Sequence, residues 1–184
     1  ADRFCRSVGA TFVEDGREVS IAEGAGTIAS ELLAGHRFDS LVLPLGNGAL
    51  LAGAARWTKT HAPAVKVIGI CAEGADAMAA SWQAHRVIER PAVNTIADGI
   101  AVRRPVPEAL TDMEGLVDEV LLVSDAAILR AMRLLFQHAG LVGEPAGVAG
   151  IAALIEHPAL RTQRVASVLC GSNLTAEQMA RWIC

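Results

Sequence analysis

The apolar positions of this chain change period in a regular way. Leu41, Val42 and Leu43 form an unbroken apolar run of the kind a strand buried on both faces needs. The run stops at Pro44. Gly46-Asn47-Gly48-Ala49 then leads into Leu50, Leu51, Ala52 and Ala54, which read as a helix continuing to about residue 60. Residues 65–70, 117–123 and 165–169 repeat the strand signature. Between them lie helical patterns. Residues 24–34 place Ile28, Leu32 and Leu33 on one face with Gly35 just past the end, and residues 76–84 read as a further helix. Ser124 is a cap for a helix to residue 138, with Asp125 favourable in its first turn and Ile128, Met132, Leu135 and Phe136 along its buried face. Glu144-Pro145 opens a small-residue helix to residue 155, and Thr175 and Gln178 have capping-box spacing. At the start, residues 1–8 predict a helix closed by Gly9, residues 10–13 a strand, and Glu14-Asp15-Gly16 a turn. Residues 91–107 are mostly irregular. This alternation predicts an α/β fold, a three-layer open and mostly parallel sheet with helices on both faces.

Composition narrows the setting. An apolar content of 52% is high for a free-standing domain of 184 residues. Gly, Pro and Asn break up every apolar stretch, so no membrane span is expected. Surface covered by a partner or by another part of the same protein explains the apolarity better, and segments 50–55 and 147–155 are the ones expected to contribute it. A net charge of −4 and 4% aromatics argue against nucleic acid. Cys5, Cys71, Cys170 and Cys184 lack metal or disulfide spacing, which favours reduced thiols and a cytoplasmic setting. The first residues, with Asp2, Arg3 and Arg6, do not read as a signal peptide. His36, His61, His85, His138 and His157 show no metal spacing and are expected in surface or loop positions.

The chemistry centres on residues 44–53. A strand, a loop without bulk and a helix start together form an anion-binding device, because unpaired N–H groups and the positive helix end converge where a phosphate can approach. A tight connection needing no ligand has the same composition. Leu51 occupies the place of the third glycine in a dinucleotide fingerprint, and no Gly-Lys-Ser/Thr follows, so neither nucleotide motif applies.

Five blocks in order, EGAGTIASE (23–31), PLGNGALLAG (44–53), TIADGIAV (95–102), GLVGEPAG (140–147) and VLCGSN (168–173), resemble the fold type II pyridoxal-phosphate (PLP) enzymes of the threonine/serine dehydratase and serine racemase family. The resemblance implies that Gly46, Asn47, Gly48, Ala49 and Leu50 bind the cofactor phosphate, in a loop narrowed by Asn47 and Ala49 where the family has glycine. It implies that the Gly99 backbone lies beside the cofactor ring, that Glu144 lines the active site, and that Cys170 faces the pyridine nitrogen. A neutral partner there favours elimination over long-lived carbanions. Asp98 is a turn residue. A divalent-cation site near the strand at 65–70 is not expected. Cys71 stands where the family has Glu, leaving Glu73 and Asp76 as weak candidates.

Lys59 and Lys66 are the only two lysines. Neither lies in the family's Schiff-base motif, and both are expected to be solvated. The resemblance therefore implies residues 1–13 as the end of a largely missing small domain and residues 14–184 as most of the large PLP-binding domain. It implies an ammonia-lyase acting on a small amino acid, with the Schiff-base lysine outside this chain and with a missing N-terminal half or a homo-oligomer partner. A non-catalytic partner subunit, a degenerate paralogue and an amino-acid racemase are the alternatives.

Overall fold

In the computed structural model, which describes residues 1–183, the sheet has four parallel strands: β1 (Ser40–Pro44), β2 (Lys66–Ala72), β3 (Glu119–Val123) and β4 (Val165–Ser167), in the order β3-β2-β1-β4. The expected α/β class and parallel sheet are present. β1 is buried along its whole length, as its unbroken apolar run requires. Its neighbours meet it in register, Ser40 opposite Lys66 on one side and opposite Val165 on the other. Burying Leu41, Val42 and Leu43 contributes about 1.5–3 kcal/mol each.

Alternation along the strands divides the interior in two. Val42, Ile68, Ile70 and Ala72 pack with α6 (Asp125–Ala139) and α7 (Ala149–Glu156) on one face. Leu41, Leu43, Val67 and Cys71 pack on the other face with α3 (Ala49–His61), with Met78 of α4 (Ala77–Ala84) and with Ala109 and Met113 of α5 (Pro107–Met113). α2 (Val19–Gly35) lies against α3. The two backbones touch where glycine allows it: a β-carbon on Gly53 would stand 1.8 Å from the Ala22 carbonyl oxygen.

The chain builds β1, β2 and β3 outward in one direction, then returns to place β4 on the other side of β1. The C-terminal ends of β1 and β4 therefore flank a switch point, the place where open α/β sheets form a crevice for ligands.

Several sequence expectations need correction. Residues 10–13 form no strand, because a strand needs a neighbour and no described strand lies beside them; Phe12 and Val13 are exposed. The preceding helix α1 (Asp2–Val8) does end at Gly9, with φ +68°, but buries none of its residues. α2 begins at Val19 rather than at residue 24, so EGAGTIASE lies within it. β3 starts at Glu119, and β4 ends at Ser167, where its pairing with β1 ends at Val42. Phe136 is exposed rather than on the buried face of α6. Segments 50–55 and 147–155, expected to offer uncovered apolar surface, are largely buried. Phe4, Val8, Phe12, Val13 and Val19, close together in sequence, are exposed instead. The Thr175–Gln178 capping box opens α8 (Ala176–Trp182) as expected. Cys184 lies outside the described residues. Among the described residues no helix is long and apolar enough to cross a membrane.

Candidate functional site

The loop that leaves β1 turns sharply at Gly48, whose φ of +100° disfavours any side chain, and α3 starts at the next residue with no side-chain cap. The N–H groups of Asn47 and Gly48 make no backbone hydrogen bond among the described residues, and those of the first turn of α3 have no partner one turn earlier. Unpaired donors and the positive end of a 13-residue helix thus point the same way. They open onto a cavity of about 290 Å³ lined by residues 46–51 together with Asp15, Gly99, Ile100, Glu144, Ala146 and Cys170.

Gly46, Asn47, Gly48, Ala49, Leu50, Gly99, Glu144 and Cys170, taken from four separate sequence blocks, line one cavity. Close approach explains two of the glycines. A β-carbon on Gly46 would stand 3.1 Å from the Gly99 carbonyl oxygen, and one on Gly99 would stand 2.9 Å from the Ala146 β-carbon.

Glu144 holds the far wall. Its N–H donates to the Gly171 carbonyl (3.0 Å), and its carboxylate accepts from the Asn173 N–H (2.8 Å). Cys170 lies three residues beyond the end of β4, on this clamped segment, rather than at the strand terminus. Cys170 is exposed as a residue, yet desolvation of its thiol by the surrounding chain pushes the pKa up and the Glu144 charge adds a smaller push in the same direction, so at neutral pH the group is an uncharged thiol.

Asp15 and Asp125 were not identified from sequence as site residues. The turn at Gly16, with φ +82°, packs so tightly on Asn47 that a β-carbon would stand 2.3 Å from the Asn47 carbonyl oxygen, which brings Asp15 to the cavity. Only the Asp-Gly dipeptide signalled it, and it signals a turn. Asp125, read as a helix-dipole acid, accepts hydrogen bonds from Thr95 and Ile96 ahead of the Gly99 turn. Asp98 opens that turn, a short 3-10 helix over Asp98–Ile100.

The lysines lie elsewhere. Lys66 starts β2 opposite Ser40. Lys59 is half-buried rather than solvated, bonded to the Asp118 carboxylate (2.6 Å) and the Val65 carbonyl (2.9 Å). Burial pushes the Asp118 pKa up, but hydrogen bonds from Lys59 and the Val67 N–H outweigh it and hold the group below its ordinary value. Both lysines sit at the N-terminal edge of the sheet. The length of β1, about 13 Å, separates them from the cavity at its other edge, farther than a lysine side chain extends.

The weak cation candidates do not converge. Both oxygens of Asp76 accept from Arg90, at 2.7 and 2.6 Å, and this holds its pKa below the ordinary value. Glu73 begins a short 3-10 turn. Cys71 is fully buried, donates to the Leu45 carbonyl at 3.5 Å and has its pKa pushed up to about 12 by burial. Among the described residues no three His, Cys, Asp or Glu side chains gather as a metal site. His36, His61, His85 and His138 are exposed. His157 is partly buried and bonds the Leu122 carbonyl.

Comparison with known proteins shows the family. The sequence profile of the family "pyridoxal-phosphate dependent enzyme" matches residues 1–171. The biosynthetic L-threonine dehydratase of Burkholderia multivorans is 35% identical over 176 residues, covering 93% of this chain and 35% of the relative. The L-threonine ammonia-lyase of Thermotoga maritima is 32% identical over 182 residues, covering 98% of this chain and 45% of the relative. Among solved structures, a threonine deaminase from T.th. superposes with a TM-score of 0.89 at 32% identity, over 95% of this chain and 59% of that one. Maize serine racemase does so with a TM-score of 0.89 at 27% identity, over 98% and 56%. The chain thus spans between about a third and three-fifths of the length of these relatives. A small-residue loop with unpaired N–H groups at a helix start, a glycine turn on the same cavity and a neutral thiol fit the cofactor that gives the family its name, and the chain belongs to the pyridoxal-phosphate dependent enzymes.

Proposed function

We propose that the chain is the cofactor-phosphate and pyridine-binding part of a PLP-dependent ammonia-lyase that converts a small β-hydroxy amino acid, threonine or serine, into a 2-oxo acid and ammonia. The observation that carries this reading is the convergence of residues 46–50, Gly99, Glu144 and Cys170 on one cavity at the switch point of the sheet. PLP, when bound, supplies the electron sink for the bonds at the substrate α-carbon. The chain's own residues hold and tune it. The N–H groups of the 46–50 loop and the α3 start bind the phosphate dianion. The Gly99 backbone forms a wall without a side chain. The Cys170 thiol, kept neutral, hydrogen-bonds the pyridine nitrogen without charging it, and Glu144 fixes the segment that carries Cys170.

Neither Lys59 nor Lys66 serves as the base at the substrate α-carbon, because both lie at the opposite edge of the sheet. In this reading that base belongs to a part of the enzyme other than residues 1–184. Residues 14–184 form the PLP-binding domain, residues 1–13 belong to another unit, and the exposed Phe4, Val8, Phe12 and Val13 are covered by a partner or by further chain. The setting is cytoplasmic. The lysine placement equally favours a second reading, a partner subunit that keeps the site without catalysing.

The test is a calorimetric titration of this chain with PLP and with inorganic phosphate, repeated for Gly48→Val. A β-carbon at Gly48 combines a disfavoured φ with a 3.1 Å approach to the Ala109 β-carbon, so the variant is expected to lose at least tenfold in both affinities. Unchanged affinities reduce the loop to a turn. Threonine or serine turnover by the chain alone, with PLP attached to Lys59 or Lys66 after borohydride reduction, overturns the assignment of the base.

A further inference from the structure

Residues 85–106 cross the molecule with no regular structure except the short turn Asp98–Ile100, yet that turn packs Gly99 so closely on Gly46 and Ala146 that a β-carbon on Gly46 would stand 3.1 Å from the Gly99 carbonyl oxygen and one on Gly99 2.9 Å from the Ala146 β-carbon. Something outside the segment has to hold it. Resting on the PLP-binding reading above, we infer that Asp125 is a positioning residue for the site, fixing the Gly99 turn from the first turn of α6.

The connection is a continuous chain of hydrogen bonds. Asp125 Oδ1 accepts from the Thr95 hydroxyl at 2.5 Å, and Oδ2 accepts from the Ile96 N–H at 3.0 Å. The Thr95 oxygen, its proton committed to Asp125, accepts from the Ala97 N–H at 3.1 Å. The Ala97 carbonyl accepts from the Ile100 N–H, and the Asp98 carbonyl from the Ala101 N–H, which closes the turn around Gly99. Ala97 and Ile100 are buried, so the turn cannot swing without breaking this chain.

Asp125 is not needed as a helix cap. Ser124 already caps α6 by accepting from the Ala127 N–H, and Glu156 receives both the Ser124 hydroxyl and its N–H. With the cap supplied from elsewhere, both carboxylate oxygens of Asp125 face the 95–97 segment. Other anchors of the irregular stretch lie outside residues 95–101: Ile88 on Ser81, Arg90 on Asp76, Asn94 on Gly74, and the Arg90 N–H on the Arg103 carbonyl. A charged acceptor shared by a hydroxyl and a backbone N–H is a strong joint in a half-buried place.

The experiment compares Asp125→Ala and Asp125→Asn with the parent chain by amide hydrogen exchange and by calorimetric titration with PLP and with inorganic phosphate. In Asp125→Ala, exchange at Ile96, Ala97 and Ile100 is expected to rise at least tenfold, while the α6 amides of Ala131 and Met132 stay within twofold. PLP affinity is expected to fall about tenfold and phosphate affinity to fall less, because the Gly99 turn meets Gly46 at the start of the loop, while the N–H groups of Asn47, Gly48 and the start of α3 follow it. Asp125→Asn keeps one acceptor and is expected to recover much of the loss. Exchange that rises in α6 instead of the turn, or PLP affinity unchanged by Asp125→Ala, overturns the inference. If the parent chain binds neither PLP nor phosphate, the functional reading fails separately, and the exchange pattern alone decides whether Asp125 holds the turn.

Discussion

The Glu144 carboxylate accepts a hydrogen bond from the Asn173 N–H at 2.8 Å, and this places a negative charge behind the segment that carries Cys170. A β-carbon on the intervening Gly171 would stand 2.3 Å from Glu144 Oε1, so the two strips of chain are in contact. The arrangement holds the segment in place, and the Glu144 charge adds to the desolvation that raises the Cys170 pKa.

Replacing Glu144 separates these effects. Glu144→Ala removes a hydrogen bond to a charged group and should cost about 1.5–3 kcal/mol of stability. Glu144→Gln keeps an acceptor but removes the charge, so the Cys170 thiol should ionise at lower pH. The rate of Cys170 alkylation by iodoacetamide as a function of pH, read by peptide mapping, is expected to shift to lower pH in Glu144→Gln. A profile that does not move would mean that Glu144 does not act on the thiol.

The glycines of α2 and α3 provide a matched pair for stability. Gly53→Ala puts a methyl group 1.8 Å from a backbone oxygen of α2, a clash that no rotamer change relieves, and should destabilise by about 3 kcal/mol or more. Gly24→Ala lies in the same helix pair, with nothing within 4 Å of its β-carbon, and should stabilise by up to about 1 kcal/mol through helix propensity. Urea unfolding midpoints of the two variants are expected to move in opposite directions.

Acid should weaken the fold in a defined window. Side-chain and backbone hydrogen bonds from Arg164 hold Asp39 at about 2, against an ordinary 3.8, and the Arg90 pair depresses Asp76 in the same sense. A carboxylate whose folded pKa lies below its unfolded value binds fewer protons when folded. Its contribution is complete above the unfolded pKa and disappears as pH falls through the folded one. Stability should therefore be flat from neutral pH to about 5 and fall from there to about 2. Asp39→Asn should flatten part of that fall. Because the Asp39–Arg164 pair is exposed, the effect is expected to be small and reduced by added salt. Urea midpoints at about pH 7, 4 and 2.5, with and without roughly 0.5 M salt, check it.

Local chemistry carried much of this protein in its sequence. The apolar run 41–43 is a fully buried strand because no other element buries three consecutive large side chains on both faces so economically. Small residues after it signalled an open helix start because only they permit φ +100° and close approach. The Ser124 and Thr175 caps depend on bonds within one turn and were equally legible. Tertiary structure decided what depends on neighbours. Residues 10–13 have strand-like composition but no strand among the described residues to pair with. Lys59 resembles any surface lysine until β3 brings Asp118 beside it, and Asp125 any helix-start acid until the 95–97 segment crosses above it. Local sequence determined which residues form a small-residue loop at a helix start. The return of the chain to the far side of β1 decided that Glu144 and Cys170 face that loop, while Lys59 and Lys66 stand at the other edge of the sheet, because parallel strands place all their C-terminal ends, and the segments that follow them, on one side.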